Sequence, residues 1–135
     1  MTEADDFIVS ETDGITISAG RSFMGRNNSQ NLWGYYFCIE NNTSKKIQLV
    51  GKDWNITDDR GNCFSDNKAG FKGEIPELEP GESFEFSDIA PIDADAAVFY
   101  GSCRVLAQGR AESMDISLPT FEMSRGKICA QESAN

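Results

Sequence analysis

The segment IQLVGKDWNITDDRG, residues 47–61, constrains the fold more than any other part of the chain. Its first apolar residues, such as Leu49, occupy odd positions, whereas Trp54 and Ile56 occupy even ones. Because side chains of a β-strand alternate between its two faces, these sets share a face only if the register shifts between them. A glycine inside a strand pattern often marks such a bulge, so we place one near Gly51. The segment predicts a central strand with Trp54 in the core.

The same segment ends in Asp58-Asp59-Arg60-Gly61, and an apolar run resumes at Cys63-Phe64, which predicts a hairpin. Seven or eight short strands with closely spaced turn signals predict an all-β chain, an antiparallel β-sandwich of immunoglobulin or fibronectin type III outline. The other alternating segments are Ile15–Arg21, Leu32–Glu40, Ser83–Ser87, Val98–Ala107 and Met114–Met123, the last interrupted by Pro119.

The segments between these strands are expected to be irregular. Gly25–Asn31 is predicted to be a polar loop, and residues 88–97 an irregular crossing between sheets. With 135 residues the chain suits one domain. We expect an acidic flexible arm over residues 1–13, a sandwich domain over 14–123 and a loose tail over 124–135.

Charge narrows the range of partners. The net charge of −10 disfavours nucleic acid and anionic membranes, and no apolar run approaches the ~20 residues of a membrane span. The acidic start does not resemble a signal peptide, so a cytoplasmic protein is expected. The four sequons, which begin at Asn27, Asn41, Asn42 and Asn55, are accordingly interpreted as coincidental.

The cysteine and histidine content limits the disulfide, metal and acid–base chemistry that the chain can support. Cys38, Cys63, Cys103 and Cys129 form no CxxC pair, so reduced thiols are expected, with Cys38 and Cys103 buried. Histidine is absent, which removes the commonest general base and zinc ligand. The absence of histidine disfavours an enzyme.

Short elements recur in a specific order between residues 15 and 123: Asn41, Ile47-Gln48-Leu49-Val50, Trp54, Ile56-Thr57-Asp58, Gly61, Gly70-x-x-Gly73, Pro76-x-Leu78-x-Pro80-Gly81-Glu82-x-Phe84-x-Phe86, Gly101 and Ile116-x-Leu118-Pro119-x-Phe121. Together they resemble the ApaG domain family. The resemblance implies a fibronectin type III-like sandwich, found in bacterial proteins linked to magnesium and cobalt resistance or efflux and as a partner-binding module in larger proteins. It also implies no agreed enzymatic activity. Where the family has Arg-His before the tryptophan, this chain has Lys52-Asp53.

A glycine-containing loop offers one alternative function. Gly70 and Gly73 would let backbone N–H groups approach a phosphate or nucleotide, while Lys68 and Lys72 supply positive charge. Phosphate loops of this type open a helix, however, and the following Glu74-Ile75-Pro76 cannot start one. A connection between strands with Phe71 as an exposed or half-buried anchor is the favoured interpretation.

A divalent cation is the other alternative, and the only cofactor considered. Asp58 and Asp59 in one turn, and Asp88, Asp93 and Asp95 in another segment, carry the oxygen ligands that such ions prefer. Ordinary turn chemistry explains the same residues and is favoured.

The preferred hypothesis is a non-catalytic module that binds a protein partner. Aromatic residues are favoured at interface centres, so the predicted contact surface consists of Trp33, Tyr35, Tyr36 and Phe71. The oligomeric expectation is a monomer or a weak homodimer through edge strands.

Overall fold

A computed structural model describes residues 7–67, 70–71 and 73–124 of the chain. Every regular element within these ranges is a β-strand, and every strand pairing is antiparallel. The strands are β1 (Ile8–Thr12), β2 (Ile15–Asn27), β3 (Gln30–Asn41), β4 (Ile47–Asp58), β5 (Cys63–Asp66), β6 (Glu77–Leu78), β7 (Ser83–Ile92), β8 (Ala96–Ala107), β9 (Met114–Ser117) and β10 (Phe121–Ser124).

The strands form two sheets that pack face to face. The first sheet has the order β1-β2-β3-β7, and the second has the order β10-β8-β4-β5, with β6 paired to β4 and β9 paired to β8. The predicted antiparallel β-sandwich is therefore confirmed. The described ranges contain ten strands because the proline-interrupted last strand forms two and because the short β1 and β6 carry weak sequence signals.

The central strand has the predicted form. The register of β4 against β8 shifts between Leu49 and Gly51, so the inward face passes from odd to even positions. Trp54 is 3% exposed, and its ring centroid lies 5.0 Å from those of Phe37 and Phe86 in the first sheet and 5.9 Å from that of Phe99 in the second. The predicted hairpin joins β4 to β5, with Gly61 at φ 91°.

The predicted arm over residues 1–13 is wrong for its second half. Residues Ile8–Thr12 form β1 and pair with β2 in register from Ile15 to Ala19. Ile8 packs against the core, whereas Glu11, the acidic residue of this strand, is exposed. Of the predicted tail, Ser124 ends β10, and the residues beyond it lie outside the described ranges, as does Cys129.

Two predicted irregular segments are also wrong. The polar loop reduces to a tight turn at Asn28 and Ser29, because Asn28 adopts a positive φ of 60°, which asparagine tolerates better than most residues. The crossing over residues 88–97 does connect the two sheets, but β7 continues to Ile92 and β8 begins at Ala96. Only three residues remain between them.

Three cysteines lie in the described ranges, and all are free thiols. Cys103 is buried, as predicted, and burial raises its pKa to about 12. Cys38 is only partly buried, which corrects the prediction, because it lies on the outer face of β3. No helix in the described residues has the length and apolarity needed to cross a membrane.

Candidate functional site

A groove of about 570 Å³ crosses the outer face of the first sheet. It runs over β2, β3 and β7 and is bounded at one side by Phe7, which precedes β1. We call it the outer-face groove and define it by Phe7, Gly20, Met24, Gly34, Tyr36 and Ile89.

Two glycines form the floor of the outer-face groove. A Cβ added at Gly20 would lie 2.6 Å from the ring of Phe7, and one added at Gly34 would lie 2.8 Å from Sδ of Met24. The absence of side chains therefore lets the ring and the thioether lie directly on the sheet. Phe7 also contacts Tyr36, with ring centroids 4.9 Å apart.

The groove carries exposed apolar surface. Phe7 is 41% exposed, Met24 54% and Ile89 51%. Single exposed apolar residues are ordinary on protein surfaces, but a contiguous group around a concavity marks a site of interaction. Aromatic residues and methionine are the types enriched in protein interfaces.

The polar residues beside the groove are already engaged in the fold. Arg21 donates a hydrogen bond from Nε to the carbonyl of Glu122 at 2.8 Å, which links the first sheet to β10. Partial burial raises the pKa of Tyr36, and the nearby Cys38 and Glu85 act in the same direction. The groove thus offers apolar contacts beside acidic groups.

Strand β7 forms an edge of the first sheet, and its end near the groove offers few backbone N–H groups to an added strand. Pro91 has no N–H, and the N–H of Ile89 donates to the carboxylate of Asp88 at 2.8 Å. Edge strands of natural proteins often limit pairing with other chains in this way. A weak homodimer through edge strands stays a prediction, and this part of β7 does not favour it.

The predicted aromatic surface is wrong for two of its four residues. Trp33 is 0% exposed and Phe71 is 2% exposed, so both belong to the core. Tyr35 is half buried and packs against the core from the same face as Trp33, although it also lines the groove. Tyr36 lies on the outer face and helps to define the groove, because neighbouring residues of a strand face opposite sides.

Phe7, Met24 and Ile89 were not predicted from the sequence. The signal that identifies them is the pair Gly20 and Gly34 at outward-facing positions of adjacent strands. Recognising that signal requires the register, in which Gly20 pairs with Tyr36 and Gly34 with Ser22.

The glycine loop uses its described backbone groups internally. The N–H of Gly70 donates to the carbonyl of Val50 at 3.1 Å, and that of Phe71 donates to the carbonyl of Glu74 at 2.7 Å. The first bond fixes the loop to β4 and the second closes the loop on itself, which agrees with the interpretation as a connection between strands. Gly73 has a positive φ of 87°. Lys68 and Lys72 lie outside the described residues.

Lys52 fixes this loop to the core. It is 3% exposed, and its Nζ donates to the carbonyl of Gly70 at 2.6 Å. The same ammonium lies 5.3 Å from the ring centroid of Phe71 and 5.7 Å from that of Trp54, which are cation–π distances. Its Nζ is 3.8 Å from a carboxylate oxygen of Asp66. Lys52 thus has a structural role in this chain.

Asp58 tightens the β4–β5 turn. Its Oδ1 accepts hydrogen bonds from the N–H groups of Arg60 and Asn62, both at 2.9 Å, and its Oδ2 accepts one from the side chain of Asn62. Desolvation raises the pKa of Asp58, but these hydrogen bonds outweigh it and hold the pKa below its usual value. Turn chemistry therefore explains this residue.

The other candidate ligands are not assembled into one site. Asp88 lies in β7, opposite Tyr35 of β3, whereas Asp93 and Asp95 lie in the turn after β7. Asp93 accepts a hydrogen bond from Gln30 at 3.1 Å. Across residues 7–67, 70–71 and 73–124, no group of three or more aspartate, glutamate or cysteine side chains is placed to hold a metal ion.

The fold and the groove define a class of protein, an antiparallel β-sandwich with a shallow apolar groove on one outer face. Its family follows from comparison with known proteins: the ApaG domain matches residues 22–107, and the chain belongs to the ApaG domain family. The groove residues Met24, Gly34, Tyr36 and Ile89 lie within the matched range, whereas Phe7 and Gly20 precede it.

Relatives in two bacteria cover most of the chain. Protein ApaG of Methylorubrum populi is 34% identical over 117 residues, which are 84% of this chain and 89% of that protein. Protein ApaG of Allorhizobium ampelinum is 34% identical over 95 residues, which are 70% of this chain and 72% of that protein. Neither name specifies a reaction.

The fold is shared with a solved structure. A crystal structure from Bordetella pertussis, described as an ApaA protein, superimposes with a TM-score of 0.75 at 20% sequence identity. The superposition covers 88% of this chain and 94% of that one. At this identity the likeness concerns the fold alone.

Proposed function

We propose that this chain is a non-catalytic binding module that captures a protein partner in the outer-face groove. The observation that supports the proposal is the glycine floor. Gly20 and Gly34 let Phe7 and Met24 lie directly on the sheet, and these two side chains together with Ile89 give a partner side chain a concave apolar surface to fill. Contact through a rigid sheet also requires little ordering of the module on binding.

The partner should present an apolar anchor flanked by basic residues. The module carries a net charge of −10, and Glu85 and Asp88 lie on β7 beside the groove. Complementary charge accelerates association and suppresses wrong partners, whereas the apolar anchor supplies most of the affinity. We therefore expect binding that weakens moderately with salt.

The remaining parts of the function stay predictions. The link to magnesium and cobalt resistance or efflux, the cytoplasmic location and the lack of enzymatic activity derive from the sequence and the family resemblance. If this chain takes part in cation handling, we propose that it acts through the bound protein.

The test is affinity capture from cells, followed by mass spectrometry, with wild-type protein and the Met24→Glu variant. Met24 is 54% exposed, so the substitution places a carboxylate in the groove without disturbing the core. We expect at least one protein to be enriched by the wild type and lost with the variant. Titration calorimetry with that purified partner then measures the loss, which we expect to be at least about tenfold in Kd.

A matched control distinguishes the groove from general apolar stickiness. Val98 is 38% exposed on the second sheet, so Val98→Glu makes the same chemical change elsewhere. We expect this variant to retain the partner. Equal capture by all three proteins, or no protein enriched above empty beads, would refute the proposal.

A further inference from the structure

The sandwich has a second opening, between its edge strands β7 and β5. The lower part of this opening is closed by Phe71, whose ring centroid lies 5.3 Å from that of Phe84 and 5.7 Å from that of Phe86. Above the closed part, a pocket of about 170 Å³ enters between the sheets, with Pro91 of β7 on one side and Asp66 of β5 on the other. It is separate from the outer-face groove, although Tyr35 lines both.

Aromatic rings form the walls of this pocket. Trp54 and Phe99 back the pocket but are only 3% and 0% exposed. The rings that a ligand can reach are therefore those of Tyr35, which is half buried, and Phe64, which is 50% exposed at the mouth. The ring planes are inclined to one another by 82° for Tyr35 and Trp54 and by 47° for Tyr35 and Phe99. These contacts fix the ring of Tyr35 at the wall of the pocket, and an aromatic ring attracts a cation placed over its face.

Carboxylates bias the pocket toward a cation. Asp66 lines it and pairs across from Trp54. Burial is the main reason that the pKa of Tyr35 is raised, and the charges of Asp88 and Asp66 contribute further. Asp66 therefore supplies the carboxylate of the pocket, and one of its oxygens lies 3.8 Å from the ammonium of Lys52, so a bound cation would share this carboxylate with Lys52.

Size and edge geometry restrict the occupant further. A cavity of about 150 Å³ holds benzene, so this pocket accommodates one small head group and not a nucleotide. An added β-strand is disfavoured because Pro91 lacks an N–H and the N–H of Ile89 is bonded to Asp88. The ligand therefore enters as a single group.

We propose that the pocket between β5 and β7 binds a small organic cation of the methylated ammonium type, held by the rings of Tyr35 and Phe64 and by the carboxylate of Asp66. The ammonium of Lys52 against Trp54 shows that a cation is already stable beside this aromatic cluster. The proposal is independent of the protein-binding function assigned to the outer-face groove.

The test uses choline and its neutral isostere 3,3-dimethylbutan-1-ol as probes in ¹H–¹⁵N NMR titrations. The two molecules have nearly the same shape, so the difference between them isolates the charge. We expect saturable shifts of the Phe64 and Asp66 amides with choline and binding about tenfold weaker with the isostere.

Variants separate the contributions of ring and carboxylate. Phe64→Leu retains apolar bulk at a half-exposed position but removes the π-face, and Asp66→Asn removes the charge; each should weaken choline binding about three- to thirtyfold. The control variant Val98→Leu, on the outer face of the second sheet, should leave choline binding unchanged. Equal affinity for both probes, non-saturating shifts spread over the surface, or no shift at 50-fold excess of choline over protein would each overturn the proposal.

Discussion

Asn41, at the end of β3, offers a stringent test of how polar groups support this fold. It is 0% exposed, and its side chain is fully engaged. Nδ2 donates to the carbonyls of Lys45 at 2.8 Å and Leu78 at 2.9 Å. Oδ1 accepts from the N–H of Thr43 at 3.0 Å and from its hydroxyl at 2.7 Å. One side chain thus connects the turn after β3 to strand β6.

The magnitude follows from these contacts. Each hydrogen bond contributes about 1 kcal/mol net, and the buried carbonyl of Leu78 would be left without its donor. Partly exposed groups recover water, so Asn41→Ala should lower the free energy of unfolding by about 3 kcal/mol. That is a large share of the ~5–15 kcal/mol typical of a domain.

Asn41→Asp sharpens the test because it preserves shape and removes only the donors. An ionised carboxylate would face the carbonyl oxygens of Lys45 and Leu78, so the folded state should favour the protonated form and raise the pKa of the introduced carboxyl. A group with a raised folded pKa stabilises most below its unfolded pKa and loses that contribution as pH rises. The destabilisation should therefore grow between about pH 4 and pH 7.

Urea unfolding followed by tryptophan fluorescence at pH 4.5 and 7.5 measures both variants. Asn42→Asp is the matched control, because Asn42 is exposed and its side chain donates exposed hydrogen bonds to the side chains of Thr16 and Glu40. We expect it to change stability by less than about 1 kcal/mol. If Asn41→Asp behaves like this control at both pH values, the reasoning is refuted.

Three further perturbations test other parts of the structure. Lys52→Met keeps the apolar stem but leaves the buried carbonyl of Gly70 without its donor, so urea unfolding should show a free energy of unfolding that is lower by about 1–3 kcal/mol. An equal loss in the control Lys45→Met, at an exposed position, would contradict this reasoning. Gly101→Ala places a Cβ 2.1 Å from the carbonyl oxygen of Asp53 and should lower the free energy of unfolding by about 3 kcal/mol in the same assay. An unchanged urea midpoint would show that the two strands can separate locally. Because the pKa of Asp58 is lowered in the folded state, its ionised carboxylate stabilises the protein above about pH 4, and this contribution is lost as pH falls through the folded pKa. In thermal melts, Asp58→Asn should therefore lose less stability than wild type between about pH 5 and 2.5. Melting temperatures of the two proteins that fall in parallel over this range would exclude the contribution.

Most of the fold was predictable because period-two alternation reports burial directly. The shift at Gly51 is an example, since only a bulge lets Leu49 and Trp54 share the core. Strand ends were predicted less well because pairing overrides local composition. Ile92 lies in β7, beyond the point at which its polar neighbours suggest a loop.

The candidate site was less predictable because the groove forms where two outward-facing positions are glycines and therefore carry no side chain. Gly20 and Gly34 are far apart in sequence and become neighbours only through the pairing of β2 with β3. Phe71 shows the opposite error: its position in a glycine-rich loop suggested exposure, yet Lys52 and the surrounding rings hold it in the core. Aromatic content alone therefore does not distinguish an interface from a core.

The blocked edge beside Ile89 and Pro91 affects how this protein can evolve new specificities. A sheet that recruits ligands through its main chain accepts almost any extended sequence, because every peptide offers the same amide groups. If the two openings bind ligands as we propose, recognition beside this edge relies on the shapes and charges of side chains. Exchanging one or two residues around either opening would then redirect binding while the sandwich itself stays unaltered.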